Sequence, residues 1–131
     1  MKRPFGIALS LLVFSLLAGA TACGGDAQQK KLQLFAQGRL HYEVACQNCH
    51  GAKGKGLLNL YPPLAGADYL MDTTRTDAIL CMMRHGYEGN LLVNGELYRR
   101  AMPGVQDLTA HEAAAILTYI RNAWGNQGPM T

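Results

Sequence analysis

The run CQNCH at positions 46–50 constrains this chain more than any other feature of its sequence. Cys46 and Cys49 stand three residues apart, and residues at that spacing lie about one turn apart on nearly the same face of a helix. His50 follows at once, so an imidazole stands directly beside the two thiols. The rest of the chain is therefore expected to fold around the group that these three side chains hold.

This spacing is the pattern of covalent c-type haem attachment. The sulfurs of Cys46 and Cys49 can form thioethers with the two vinyl groups along one side of a porphyrin, and His50 can then place its imidazole under the iron. The other ring nitrogen of His50 is expected to donate a hydrogen bond, and the run YPPLAG offers the carbonyl of Pro62 or Pro63 as its acceptor. We therefore predict one covalently bound haem c whose iron is ligated by His50.

Three other interpretations fit the CQNCH run less well. A zinc site would need a second pair of ligands at comparable spacing, and only Cys81, His85 and His111 remain to supply it. A thiol-redox pair is expected to follow a strand and precede a helix, whereas here a helix is predicted before the two cysteines. A disulfide between them would close a loop of only four residues and would add little stability.

A second axial ligand is expected downstream, because two strong protein ligands keep the coordination of the iron unchanged when its charge changes. A thioether is a soft ligand that stabilises ferrous iron. Met102 is the preferred candidate, since the run RRAMPG forms a loop stiffened by Pro103 just before the last predicted helix. His85 is the leading substitute, whereas Met82 and Met83 have helical spacing and are predicted to fill the core. The downstream candidates are Met71, Met82, Met83, His85, Met102, His111 and Met130.

The first 22 residues have the pattern of an export signal, in which Lys2 and Arg3 precede an apolar run too short to span a bilayer. The run LLAGATAC resembles the end of a bacterial lipoprotein signal, although Ala20 stands where such signals usually have leucine. We predict a lipid on Cys23, with ordinary cleavage near Ala22 as the alternative, and a flexible polar tether over residues 23–31. The protein is expected to be exported and anchored on the periplasmic side of a membrane.

Charge excludes one class of partner. Without the two basic residues of the signal, the chain carries ten basic and nine acidic side chains, so its net charge is close to zero. No basic run is interleaved with aromatic residues, which argues against nucleic-acid binding.

The mature chain is also small for building a core from side chains alone, and a buried apolar cofactor would relieve that shortage.

The periodicity of apolar residues predicts a mainly helical chain. A first helix is expected over about residues 31–46, where Leu34, Leu40 and Val44 are apolar. A short helix is expected over about residues 74–85, with Thr74 and Asp77 at the spacing of a capping box.

The last predicted helix is the clearest. It begins with Thr109 and Glu112 as a second capping box and ends before Gly125. A small hairpin is expected around Asn94 and Gly95, which form a favourable two-residue turn. The remaining long loops are expected to wrap the bound group.

The motifs CQNCH, PPLAG, AMPG and LTYIRNAWGN, in this order, resemble those of the small class I c-type cytochromes over residues 32–126. The resemblance implies an all-α fold of three to five helices wrapped around one haem, with crossing N- and C-terminal helices and a tail at residues 127–131. In that family a glycine and an aromatic residue on the first helix meet apolar and aromatic residues on the last. Gly38 and Tyr42 match the first pair, and Ile116 and Tyr119 match the second.

The same resemblance implies roles at the haem. Pro62 matches the proline whose carbonyl holds the proximal histidine, and Met102 matches the distal ligand. The family function is one-electron transfer, without enzyme activity, between redox proteins that bind transiently in the periplasm or at a membrane surface. Two alternatives stay open: a haem relay fixed in an oxidase, nitrite reductase or dehydrogenase complex, and a ligand-binding or peroxidatic protein with an open sixth site.

Other side chains are predicted to be structural or solvated. Cys81 is expected to be a small buried apolar residue. Arg99 and Arg100 are expected on the solvated surface, with pairing to a haem propionate as the alternative. Trp124 is expected to pack near the end of the last helix.

Overall fold

The computed structural model describes residues 23–129 and 131, so the export signal predicted for residues 1–22 lies outside the described residues. Lys31–Thr131 forms one compact unit. Among the described residues, no helix is both long and apolar enough to cross a membrane.

Helix α1 comprises Cys23–Ala45. We predicted a flexible, polar tether over residues 23–31 and a helix from about residue 31, and the structure describes the helix as beginning at Cys23. After the glycines at its start this segment contains only good or moderate helix formers and no proline. Asp26 in the first turn also suits the positive end of the helix dipole.

The buried face of α1 differs from the apolar set that the sequence suggested. Leu34, Gly38 and Tyr42 are buried, and they recur every four residues along one side of the helix. Leu40 and Val44, which were counted as apolar positions, are exposed to solvent. The contact surface of this helix is therefore set by one glycine and one tyrosine more than by its aliphatic residues.

Short elements connect α1 to the middle of the chain: α2 (Gln47–His50), α3 (Asp68–Met71), a 3₁₀ turn (Thr73–Arg75) and α4 (Thr76–His85). The predicted capping box of Thr74 and Asp77 is wrong. Asp72 caps the 3₁₀ turn instead, since its carboxylate accepts a hydrogen bond from the Thr74 backbone N–H at 3.0 Å. Helix α4 therefore begins two residues later than expected, with no side-chain cap.

Two small antiparallel sheets follow: β1 (Gly86–Tyr87) pairs with β4 (Met102–Pro103), and β2 (Leu91–Val93) pairs with β3 (Glu96–Tyr98). The predicted hairpin is confirmed, with Asn94 and Gly95 at φ angles of 50° and 80° as a type I′ turn requires. The β1–β4 pair was not predicted. The all-α class thus describes the helices correctly but leaves out these sheets.

Helix α5 (Ala110–Asn122) begins as predicted. The Thr109 hydroxyl accepts from the Glu112 backbone N–H, and the Glu112 carboxylate accepts from the Thr109 backbone N–H at 2.9 Å, which completes the capping box. The second half of the helix is almost wholly buried. It is the central helix of the core.

The expected packing of α1 on α5 is confirmed. A Cβ atom at Gly38 would overlap the carbonyl oxygen of Ala115, so the two helices approach closely at this glycine. Tyr42 is fully buried, with its ring 5.3 Å from that of Tyr119 and 5.2 Å from that of Trp124. This aromatic cluster holds the C-terminal end of α1, where the CQNCH run begins.

Cys81 is exposed on α4, so its predicted burial is wrong. Its neighbours on the helix explain the difference: Ile79 and Met83 occupy the buried face, and Cys81, two residues from each, lies on the opposite side of the helix.

Candidate functional site

The CQNCH run occupies a corner between two helices. Helix α1 ends at Ala45, Cys46 forms the start of α2, and the His50 backbone N–H donates to the Cys46 carbonyl at 3.0 Å. This single turn places Cys46 and Cys49 near each other, and both are half-buried free thiols. The arrangement matches the spacing argument made from the sequence.

The Cys46 thiol is in an apolar environment. Burial, with a smaller contribution from Cys49, raises the pKa of Cys46 to about 11. A catalytic thiol-redox pair needs a lowered thiol pKa to supply the thiolate nucleophile. Cys46 is therefore poorly suited to act as the attacking thiolate in disulfide exchange.

His50 is buried, with 8% of its surface exposed, and its Nδ1 donates a hydrogen bond to the Pro62 carbonyl at 3.0 Å. Because a carbonyl can only accept, this bond puts the proton on Nδ1 and leaves Nε2 with a free lone pair. Burial lowers the pKa of His50, and the bond to Pro62 offsets this only in part. The imidazole is thus held neutral, in the form that ligates a metal.

Glycines hold the segment that carries Pro62 close to His50. The Gly56 backbone N–H donates to the His50 carbonyl at 2.9 Å, and a Cβ atom at Gly56 would lie 2.7 Å from the Pro62 carbonyl carbon. Gly54 packs under the Trp124 ring, where a Cβ atom would approach to 2.6 Å. The run GAKGKG was interpreted only as a loop, but its glycines permit these close approaches.

Met102 is held by the β1–β4 pair. It pairs with Tyr87, and Pro103 pairs with Gly86. Val105 is tied to helix α4, since its backbone N–H donates to the Met83 carbonyl at 2.8 Å. The loop was expected to be stiffened by proline alone, and these backbone hydrogen bonds fix it further.

One cavity brings the predicted site residues together. The empty space within it is about 910 Å³, which includes space open to solvent. Cys46, Cys49, His50, Pro62 and Met102 all line it, and most of the other lining residues are apolar. His85, the substitute ligand, is exposed and lies outside the lining.

These residues fit a covalently held haem. Two thiols, one neutral imidazole and the thioethers of Met82, Met83 and Met102 line an apolar cavity, which includes the donor set that c-type haem requires. Within residues 23–129 and 131, no three His, Cys, Asp or Glu side chains are grouped to hold a bare metal ion. A structural zinc site therefore has no support among the described residues.

The lining residues that were not recognised as part of the site include Tyr69, Met82 and Met83. Met82 was predicted to fill the core, but it lines the cavity and its sulfur accepts a hydrogen bond from the Tyr69 hydroxyl at 3.5 Å. Tyr69 also lines the cavity. The sequence shows only that Met82 has helical spacing with other apolar residues. That spacing does not distinguish a residue that packs in the core from one that lines a cavity.

The predictions for Arg99, Arg100 and Trp124 are confirmed. Arg99 and Arg100 are exposed, as expected, and the Arg100 guanidinium lies over the Tyr61 ring at 5.4 Å from its centroid. Trp124 packs against Tyr42, as expected, and its indole N–H donates to the Ala52 carbonyl at 3.1 Å.

Comparison with known families agrees with this site. Residues 33–120 match the family described as cytochrome c oxidase, cbb3-type, subunit III. The chain belongs to this family of c-type cytochromes. The match begins in helix α1 and ends in α5, so it includes every residue that the sequence assigned to the haem.

Curated relatives are also c-type cytochromes. A cytochrome c-552 of Thermus thermophilus is 30% identical over 119 residues, which is 89% of this chain and 72% of the relative. Another Thermus thermophilus cytochrome c-552 is 32% identical over 62% of this chain and 63% of the relative. The cytochrome c subunit of a quinone alcohol dehydrogenase from Gluconacetobacter polyoxogenes is 34% identical over 69% of this chain but only 19% of the relative.

Proposed function

We propose that this c-type cytochrome is a one-electron carrier with a single haem, attached through Cys46 and Cys49 and ligated by His50 and Met102. The observation that carries the proposal is the convergence of these four side chains on one apolar cavity. The haem, when bound, supplies an iron that changes between the Fe(II) and Fe(III) states. The relatives named as cytochromes c support the same role.

The protein's part in this function is to keep the ligands in place. The Pro62 carbonyl orients the His50 ring and adds to its basicity as a ligand. The β1–β4 pair holds the loop that carries Met102. A site whose ligands do not move when the charge changes needs little reorganisation, which favours fast electron transfer.

The proposal includes the absence of enzyme activity. With His50 and Met102 both bound, the iron has no open position for a substrate. If Met102 were not a ligand, the open position would allow binding of a gas or peroxide, which is the less favoured alternative.

The absorption spectrum of the ferric protein tests the ligand set. A weak band at the red end of the visible spectrum is expected, because iron–thioether coordination produces it. A high-spin ferric spectrum without this band would contradict ligation by Met102 and favour the ligand-binding alternative.

A second candidate function is a haem relay fixed in a larger membrane complex. The family description names an oxidase subunit, and one relative is named as a dehydrogenase subunit, which supports this candidate. Purification in mild detergent separates the two. Co-purification of a stoichiometric redox enzyme would favour the relay, and a protein that migrates alone would favour the mobile carrier.

We also propose export and a lipid anchor at Cys23. The supporting observations are the basic start, the apolar run and the small residues before this cysteine. Detergent partitioning of wild type and Cys23→Ser tests the anchor. Wild-type protein should enter the detergent phase and the variant should not, and a water-soluble wild type would contradict the lipid.

A further inference from the structure

The run AWGN at residues 123–126, which we call the AWGN segment, directly follows helix α5 and contacts both arms of one loop. That loop, over residues 51–66, begins where the CQNCH run ends and contains Pro62, whose carbonyl accepts the hydrogen bond from His50. Trp124 contacts the first arm of the loop, and Asn126 contacts the second. Neither of these two side chains lines the cavity.

Asn126 is a buried amide that bonds to three backbone groups. Its side-chain oxygen accepts from the Gly66 N–H at 2.7 Å, and its Nδ2 donates to the carbonyls of Leu64 and Ile120 at 2.9 and 2.6 Å. A buried amide costs free energy unless its donors and its acceptor are paired, and here both are. Asn126 therefore ties the second arm of the loop to helix α5 across 60 residues of sequence.

Trp124 holds the first arm. Its indole N–H donates to the Ala52 carbonyl at 3.1 Å, and its ring covers Gly54 so closely that a Cβ atom there would lie 2.6 Å from it. Trp124 has a φ angle of 54°, in the left-handed region that a bulky residue rarely adopts. Such a backbone conformation persists only where the surrounding contacts hold it. The contacts with the loop and with the Tyr42 ring hold it here.

A tight turn lets side chains two residues apart reach both arms. Gly125, between them, has a φ angle of 90°, which suits glycine. The Asn126 backbone N–H donates to the Ala123 carbonyl at 2.9 Å and closes the turn. The chain thus reverses at the end of α5 and directs Trp124 and Asn126 at the same loop.

The two arms of the loop are also bonded to each other. The Gly54 carbonyl accepts from the N–H groups of Leu64 and Ala65 at 2.7 and 2.9 Å. Pro62 stands two residues before Leu64, with Pro63 between them. Because a proline ring fixes φ, this link is short and stiff, and a displacement of Leu64 is carried to the Pro62 carbonyl.

The Pro62 carbonyl in turn orients the His50 ring. The hydrogen bond from Nδ1 at 3.0 Å fixes the tautomer and the orientation of this imidazole, and such a partner also tunes the basicity of a ligating histidine. Asn126 is therefore joined to His50 through Leu64 and Pro62, without a contact of its own in the cavity.

We propose that the AWGN segment is a clamp on loop 51–66, in which Trp124 and Asn126 are positioning residues for His50. This proposal rests on the proposed electron-carrier function, in which His50 is an iron ligand. The clamp keeps the Pro62 carbonyl within hydrogen-bonding distance of Nδ1, so the orientation of the ligand is the same in both charge states of the iron. A segment that only closed the end of α5 would stabilise the fold without a specific influence on His50.

Hydrogen exchange of the His50 Nδ1 proton in the ferrous holoprotein tests the clamp. The proton is followed by NMR of uniformly ¹⁵N-labelled protein after transfer to D₂O, with the backbone N–H of the buried Leu117 as the internal reference. Asn126→Ala should speed exchange at His50 about tenfold relative to the reference, because the hydrogen bonds that hold the second arm are lost. Trp124→Phe keeps an aromatic ring but loses the N–H, and should speed it about threefold.

The matched control is Asn122→Ala. Asn122 is in helix α5 and its amide donates to the Thr118 carbonyl at 2.8 Å, so this variant removes an amide bond that does not reach the loop. Its exchange at His50, relative to Leu117, should stay within about twofold of wild type. The same relative acceleration in Asn122→Ala as in Asn126→Ala would overturn the clamp.

The internal reference separates positioning from general loosening. Equal acceleration at His50 and Leu117 in Asn126→Ala would show a structural role alone and would overturn the proposal. Where Asn126→Ala does not retain the haem, Trp124→Phe decides, and unchanged relative exchange at His50 in that variant would overturn the proposal.

The ferric spectrum of wild type keeps the two proposals apart. Wild type without the thioether band would contradict the proposed function. Wild type with the band, but with the same relative exchange at His50 in every variant, would overturn only the clamp.

Discussion

At the scale of single residues, one carbonyl and one backbone ladder decide how the proposed haem site is built. Pro62 fixes the proton of His50 on Nδ1, and the pairing of Met102 with Tyr87 holds the proposed second ligand. Neither bond depends on a charged partner. The site is therefore set by backbone geometry around apolar side chains, which keeps the imidazole neutral and the thioether in place.

Substitution of the second ligand has a measurable consequence. Met102→Ala should remove the ferric thioether band and lower the reduction potential by about 0.1 V or more, a modest part of the roughly 0.8 V that axial ligands span. Met82→Ala is the matched control, since Met82 lines the same cavity. Spectroscopic redox titration measures the reduction potential of both variants. Loss of the band in Met82→Ala and its retention in Met102→Ala would reverse the ligand assignment.

The features of single residues could be predicted only where residues close to them in the sequence determine them. The CQNCH run specifies its own geometry, because one turn of helix separates its cysteines. The exposure of Cys81 was not predictable, since it depends on which side of α4 faces the core. The bond from Tyr69 to Met82 joins two separate elements and has no signature in the sequence.

At the scale of elements, the contact between α1 and α5 depends on Gly38. A Cβ atom there would overlap the Ala115 carbonyl oxygen and come within 2.8 Å of the Tyr119 Cβ. Gly38→Ala should therefore lower the free energy of unfolding by about 2–3 kcal/mol despite its better helix propensity. Guanidinium chloride denaturation measures this change.

The control for that substitution is in the same helix. Gly25→Ala meets nothing within 4 Å, so its effect should stay below about 1 kcal/mol. Equal effects at the two glycines would show that the helices do not approach closely at Gly38.

The cap of α5 predicts a pH dependence. Hydrogen bonds from the Thr109 hydroxyl and backbone N–H lower the pKa of Glu112 from its usual 4.5. Because the folded pKa is lowered, the carboxylate stabilises the folded state above pH 4.5, and this is lost as pH falls through the folded pKa. Glu112→Gln keeps a capping side chain but does not titrate.

Thermal unfolding of wild type and Glu112→Gln across acid pH checks this dependence. The advantage of wild type should be constant near neutral pH and disappear at low pH. A difference between the two proteins that grew on acidification would contradict the cap's contribution.

Elements with local signals were predicted well, and elements that depend on distant pairing were not. The capping box at Thr109 and the turn at Asn94 each lie within four residues and were found from the sequence. The β1–β4 pair joins residues 86–87 to residues 102–103, and each strand has only two residues. Strands this short show no alternation of apolar and polar residues in the sequence. The start of α1 was missed because a polar stretch was taken as irregular, although its residues favour helix.

At the scale of the whole molecule, the fold is arranged around a cavity that its side chains do not fill. The cavity has a volume of about 910 Å³, including space open to solvent, in a chain of 131 residues. A domain of this size has little core to spare. The bound haem is thus expected to supply part of the core as well as the redox chemistry.

Protein that lacks the haem tests this dependence. Cys46→Ala/Cys49→Ala should unfold without a cooperative transition, or with one at much lower temperature, because the apolar lining would have no partner. Near-ultraviolet circular dichroism during heating measures it, with Cys81→Ala as the control for loss of a cysteine. An unchanged transition in the double variant would show that the protein core is complete on its own.

The most direct test of the account is mass spectrometry of the peptide that contains residues 46–50, from protein produced with haem-attachment machinery and extracted with acidic acetone. The account predicts that the pigment stays with the protein and that one iron porphyrin is joined to Cys46 and Cys49 by thioether bonds. A peptide with free thiols or a disulfide at these positions, and pigment in the acetone, would contradict it.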